Sequence, residues 1–239
     1  MIRGIVLAGL LSFTISTQAN DVDNALKDQV VQALDALEAD HPEWSYTRTQ
    51  HKKEETIVER YDSSRTLNEQ WQLISVDGKT PTAERLKEYQ ENRAEARKKA
   101  EEKKAKKQEK GKTGRMVDRD SLKLLDENDH EWIFSFKPEM GKDGEDFEKA
   151  LQGRLHLNKK DQYISHLNME NTASISPVMS VTIKVMKVDI EFALLDDNAV
   201  MPVRMHNLVQ GKALFFKTLD EETQESFSDF SKVIPLATP

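Results

Sequence analysis

The chain has 239 residues, no cysteine, and 42 acidic against 35 basic side chains, a net charge of −7. Without cysteine it has no disulfide, no thiolate metal site and no cysteine nucleophile. An acidic chain also makes a poor nucleic-acid binder, because affinity for phosphate backbones comes from many Lys and Arg contacts.

The N-terminus reads MIRGIVLAGLLSFTISTQAND. Arg3 precedes an apolar run from Ile5 to Ile15, and Thr17 and Ala19 stand at the −3 and −1 positions of a cleavage site before Asn20. A charged start, a short apolar stretch and a small-residue cut make a secretory signal peptide, residues 1–19. A bilayer-spanning helix needs about 20 apolar residues, and no stretch of this chain supplies them. The expectation is an exported protein of the periplasm, cut after Ala19, with a single domain over residues 20–239. A domain of that size can bury about 70% of its unfolded surface, enough to hold without disulfides.

Residues 22–39 place Leu26, Val30, Leu34 and Leu37 on one helical face, and His41-Pro42 ends that helix. The period then changes to two. WSYTRTQ (44–50), TIVERYD (56–62) and EQWQLISVDG (69–78) read as strands, the last closed by an Asp77-Gly78 turn. Thr80-Pro81 resembles a helix start. The helix from there carries Leu86 and Tyr89 and then runs into KKAEEKKAKKQEKGK (98–112), with eight lysines and three glutamates. The pairs Glu95–Lys99 and Glu102–Lys106 support helix at four-residue spacing. Residues 80–114 are therefore a charged helical excursion. Beyond the signal, and without residues 98–112, the body has 26 basic against 39 acidic residues, so the basic run stands alone. It reads either as a solvated extension or as a contact for an acidic partner or for anionic head groups, the latter through Lys103, Lys104, Lys106 and Lys107.

DRDSLKLL (118–125) is ambiguous and fits a helical turn; EWIFSFKP (131–138) is a strand. A short helix is expected from Asp146 to Leu151, then a hairpin from GRLHLN (153–158) and QYISHLNME (162–170). In SVTIKVMKVDIEFALL (180–195) the apolar parity flips at Val185-Met186, the mark of a β-bulge in a long curved strand. Residues 199–209 return after an Asp-Asp-Asn turn, and 211–230 hold one or two final strands. Sequential strands with short turns imply an antiparallel sheet covered on one face by helices, an α+β domain with a strongly bent sheet.

No catalytic constellation emerges. Both Gly-Lys-Thr triplets, 78–80 and 111–113, lack the phosphate-loop glycine, with Leu73 and Lys106 in its place. His130-Glu131 lacks the second histidine of a zinc protease, and DENDHE (126–131) lacks the glycine and glutamate of a calcium loop. There is no G-x-S-x-G turn. Six of the eight methionines (Met140, Met169, Met179, Met186, Met201 and Met205) fall among His156, His166 and His206. Core filler, the lining of an apolar ligand site, or thioether and imidazole copper ligands all fit that set.

The runs WSYTRT, VERYDSSRTLNEQWQLISVDGKTPTAERLKEY, SLKLLDE, WIFSFKP and VMPVRMHNLVQGKALFFKTLDEETQESFSDF resemble a group of exported proteobacterial proteins without an assigned activity. Their strand order and closing S-D-F strand are similar to the LolA/LolB-like lipoprotein carrier superfamily. The resemblance implies an unclosed antiparallel half-barrel, lidded by helices, that holds acyl chains in an apolar concavity. It implies a non-enzymatic protein without cofactors that binds a lipid, another apolar ligand or a lipidated partner. The implied lining is Trp71, Leu73, Trp132, Phe134, Phe136, Met186, Val188, Ile190, Met201, Val203 and Met205. The carrier's lid-latching arginine has no placed counterpart; Arg48 is a candidate only by position, as a strand arginine near the N-terminal helix. The alternative on the same fold is an interaction or sensor module that meets another envelope protein and takes no small-molecule ligand.

Overall fold

In the computed structural model of the chain, residues 16–109, 116–139, 149–214 and 217–233 are described. Residues 1–15 of the expected signal segment, residues 140–148 and the pair Phe215-Phe216 lie outside them.

Helix α1 (Ser16–Leu37) leads into a meander of β1 (Trp44–Lys52), β2 (Glu55–Tyr61) and β3 (Trp71–Val76), and helix α2 (Ala83–Glu109) follows. Then come β4 (Val117–Glu127), β5 (Glu131–Pro138), β6 (Leu151–Asn158), β7 (Ile164–Asn171), β8 (Ile175–Val178), β9 (Val181–Leu194), β10 (Val200–Ala213) and β11 (Lys217–Lys232). All pair antiparallel in one sheet of order β3-β2-β1-β11-β10-β9-β7-β6-β5-β4, with β8 added against β9. The first and last strands of that order do not meet. The domain is α+β, a curved, unclosed half-barrel carrying two helices, as the sequence predicts.

Three local expectations change. Residues 118–125 are strand, because Val117 and Leu122 bury inward while β4 pairs along β5. Helix α2 starts at Ala83 rather than after Thr80: Thr82 Oγ1 accepts from the Arg85 N–H at 3.2 Å, so Thr82 is the cap. The bulge in β9 falls at Lys184. Val185 faces Gln210 and Ile183 faces Gly211, leaving Lys184 unmatched. A Cβ on Gly211 would stand 2.1 Å from the Thr182 carbonyl oxygen, so only glycine allows that approach. A second bulge leaves Val203 unmatched beside Pro202, where the missing N–H makes a ladder irregularity tolerable.

Cross-strand partners share a face, so the register traces the chemistry of the inner surface. One row runs Phe134, Leu155, Leu167, Ile190, Met205, Glu225, Gln50. It is apolar from β5 to β10 and turns polar at β11. Over the apolar part lies α1, whose Leu26, Val30, Ala33 and Leu34 are buried against Val117, Leu122, Phe134, Phe136, Leu155, Leu157, Ile164 and Leu167. Gly153 makes room for this packing, since its Cβ would fall 2.2 Å from the Phe136 ring. Arg119 on β4 ties the end of α1 through Asp35 at 2.5 Å and Glu38 at 3.0 Å. A smaller cluster, Leu151, Ile175 and Ile183 with Met186 and Val209, extends the same face past the bulge.

Candidate functional site

Over β1–β3 the inner face has a different character. Tyr46, Tyr61 and Trp71 occupy one register row and form an aromatic floor: Tyr46 stacks on Tyr61 at 5.2 Å, and Trp71 meets Tyr61 at 5.2 Å and Tyr46 at 5.8 Å. Phe227 of β11 closes one side at 5.7 Å from Tyr46.

In the next row lies a buried carboxylate, Glu59, only 3% exposed. Arg48, its partner across the β1–β2 ladder, donates to Glu59 Oε2 through Nε at 2.7 Å and reaches Glu225 at 3.5 Å. From α2, Arg93 donates to Glu59 Oε1 at 2.6 Å, and the Tyr89 hydroxyl donates to the same carboxylate. Burial works to raise the Glu59 pKa; the Tyr89 hydroxyl and the two guanidinium groups overcome it and hold the group below its ordinary value. Burial, and then the bond to Glu59, push the Tyr89 phenol well above its ordinary value. Both guanidiniums also lie over the Trp71 ring, Arg93 at 4.0 Å and Arg48 at 5.0 Å.

Helix α2 docks on this floor through a stripe with four-residue spacing, which puts Arg85, Tyr89, Arg93 and Arg97 on one helical face. Arg85 bonds both oxygens of Glu55, at 2.8 and 3.0 Å. Arg97 donates to the Asn68 side-chain oxygen at 2.5 Å and to the Leu67 carbonyl at 3.4 Å. Between this stripe and the start of β3 a cleft of about 660 Å³ remains, lined by Leu67, Asn68, Trp71, Tyr89, Ala94, Arg97 and neighbouring residues. It exists because α2 presents alanines at 94, 96 and 100, which are too short to fill the space above Trp71.

Of the residues expected to line a ligand site, Trp71 lines this cleft. Leu73 is buried one register step along β3. Phe134, Phe136 and Ile190 are buried in the core around α1, and Trp132, Val188 and Met205 pack partly buried against it. Met186 joins the smaller cluster, and Met201 and Val203 are half-buried on β10. The part of the inner face that carries Phe134, Phe136 and Ile190 is thus occupied by the protein's own helix, whereas Met186 lies past it in a cluster of sheet residues. The side chains of Lys103, Lys104, Lys106 and Lys107 lie outside the described residues. Glu59, Arg93 and Arg97 were not expected. The arginine stripe is legible in the sequence at four-residue spacing, whereas nothing in ETIVERY marks one glutamate as buried.

Arg48, a candidate by its expected place near the N-terminal helix, bonds Glu59 and Glu225 on neighbouring strands, and Arg93 supplies the link to α2. Among the described residues no group of three or more histidine, cysteine or acidic side chains is placed to hold a metal ion. No helix among them is long and apolar enough to cross a membrane.

No family model matches the chain, and no curated protein matches it. Among solved structures it is similar to a DUF1329 family protein from Desulfovibrio piger ATCC 29098, at 11% identity and a TM-score of 0.34, over 90% of this chain and 94% of that one. So low a score carries no argument, and the fold stands on the strand pairing itself.

Proposed function

We propose that this is an exported, non-enzymatic binding protein of the periplasm that takes an apolar, lipid-like ligand in the part of the concave face α1 leaves open. The observation that carries this reading is the cleft between α2 and β3. Its volume of about 660 Å³ is in the range of small-molecule sites. Leu67, Trp71, Tyr89 and the alanines of α2 suit a single acyl chain, each buried CH₂ contributing about 0.8 kcal/mol. Arg97, whose bonded partners are a neutral amide and a carbonyl, suits an anionic carboxylate or phosphate head. Lys103, Lys104, Lys106 and Lys107 follow on the same helix and would add about 1 kcal/mol each near a charged surface. The Glu59 network reads as support rather than catalysis, because its acid, its arginines and its phenol are bonded to one another. The signal-like N-terminus supports the export reading.

The test is native mass spectrometry of the full chain purified from its own compartment, with lipid extraction and with added palmitate or lysophosphatidylglycerol. A stoichiometric acyl species, lost in Ala94→Trp while the fold persists, supports the reading. A bare protein mass with no uptake of either probe overturns it.

A second reading has an observation of its own. Side chains of α1 fill the larger part of the concave face, as suits an envelope interaction or sensor module that needs no ligand. The bare mass would favour it.

A further inference from the structure

The outer face of the sheet carries a polar row independent of the cleft. Ile133, His156, His166, Glu191 and Arg204 are successive cross-strand partners from β5 to β10. His156 and His166 are directly opposed, with ring centroids 4.9 Å apart. Each ring has one nitrogen on a carboxylate: His156 Nδ1 lies 2.8 Å from Glu131 Oε2, and His166 Nε2 lies 3.0 Å from Asp189 Oδ2. A carboxylate only accepts, so in the neutral imidazoles the protons sit on those nitrogens. His156 Nε2 and His166 Nδ1 then keep their lone pairs. Glu131 is itself held in place by Ser165 Oγ at 3.1 Å.

We propose that the opposed pair His156 and His166 is a two-nitrogen site for a borderline divalent transition ion, with Cu²⁺ preferred to Zn²⁺. Metal-binding histidines characteristically donate their far N–H to a carboxylate, which fixes the tautomer and raises ligand basicity. Here both members of the pair have that support before any ion arrives. Imidazole suits Cu and Zn, and affinity for such donors rises to Cu²⁺ and falls at Zn²⁺. Charge favours a dication: Glu131, Asp189 and Glu191 surround the pair, against Arg154 in the adjacent row and Arg204 opposite Glu191. The site is reachable, with His156 20% and His166 27% exposed. Two protein nitrogens with solvent completing the shell make a surface site of modest affinity, distinct from the closed clusters of three or more ligands that the described residues lack.

Isothermal titration of CuCl₂ and ZnCl₂ into the full chain, in a non-coordinating buffer at neutral pH, reads the site directly. One ion per chain, Cu²⁺ tighter than Zn²⁺, and two nitrogen donors in the Cu²⁺ electron paramagnetic resonance spectrum are expected. His156→Gln and His166→Gln should each weaken binding at least about tenfold. Glu131→Gln, which leaves both rings in place, should weaken it by about 10- to 100-fold. His51→Gln, on β1 beside Thr56, should leave it unchanged. No binding at millimolar Cu²⁺, or binding that survives both histidine variants or is lost in His51→Gln, overturns the assignment.

Discussion

Replacing Glu59 with glutamine tests whether the buried carboxylate holds the α2 half of the domain together. The substitution keeps volume and one acceptor oxygen but removes the charge that Arg48 and Arg93 share, and turns an NH₂ group toward a guanidinium. Removing one partner of a buried ion pair costs about 3–5 kcal/mol, because the remaining charge stays desolvated. Arg93 is 30% exposed and can recover some hydration, which puts the loss near the lower end, about 3 kcal/mol. In a domain of this size that is a fall in Tm of about 6–12 °C, and a drop in urea midpoint of about 1 M or more. The pH dependence gives an independent check. A carboxyl whose folded pKa lies below its unfolded one stabilises the fold above the unfolded value, and that contribution is lost as pH falls through the folded value. The Glu59 carboxyl is lowered from an ordinary 4.5, so wild type should lose this contribution below about pH 4.5, whereas Glu59→Gln has none to lose there. Urea titrations followed by tryptophan fluorescence at pH 7 and at pH 3.5–5 measure both. A loss under 1 kcal/mol at pH 7, with acid sensitivity equal to wild type, would refute the reasoning.

Leu34→Ala removes a fully buried side chain from the α1 core and should cost about 2–5 kcal/mol by chemical denaturation. Gly153→Ala drives a methyl into the Phe136 ring and should cost about 1–3 kcal/mol, with Phe136→Leu in the same chain recovering part of it. Raising salt to 1 M, where charges are screened beyond about 3 Å, should speed amide exchange in residues 83–97 more than in residues 26–34, which lie before the Arg119 ion pairs at the end of α1; equal effects on both stretches would contradict the polar docking of α2.

The sequence showed most of the fold through period. The strands over 44–50, 56–62 and 131–138 alternate because one face of the sheet is wet, and the structure has strands at these places. The segment 118–125 escaped because β4 is an edge strand, where Leu124 and Leu125 are exposed in succession and alternation fails. The pairing of β1 with β11, residues 44–52 with 223–232, is a contact no local pattern encodes. The candidate site was less legible for a related reason. Aromatic and methionine residues on inner strand faces look alike whether a helix or a ligand covers them, and α1 covers Phe134, Phe136 and Ile190. The lysine run is the strongest charge signal in the sequence, but the arginines at 85, 93 and 97 make the docking contacts.

Both helices lie on one face of one sheet, yet they are held by opposite chemistries. From Phe134 to Met205 one register row offers apolar side chains, and the helix above it answers with Leu26, Val30, Ala33 and Leu34, all of them buried. On β1 and β2 the same face carries Arg48 and the buried Glu59, and the helix above that part answers with arginines. Arginines reach carboxylates from a distance: their stems span the gap between helix and sheet, so the helix backbone stands off from the floor. With alanines at 94, 96 and 100 beside them, nothing fills that gap, and Trp71 keeps one side open. A leucine stripe at the same positions would draw α2 down as α1 is drawn down and close the cleft. The open volume therefore follows from how α2 is attached: a helix held by long polar side chains over an aromatic floor leaves room for an apolar guest, and a helix held by its own core does not.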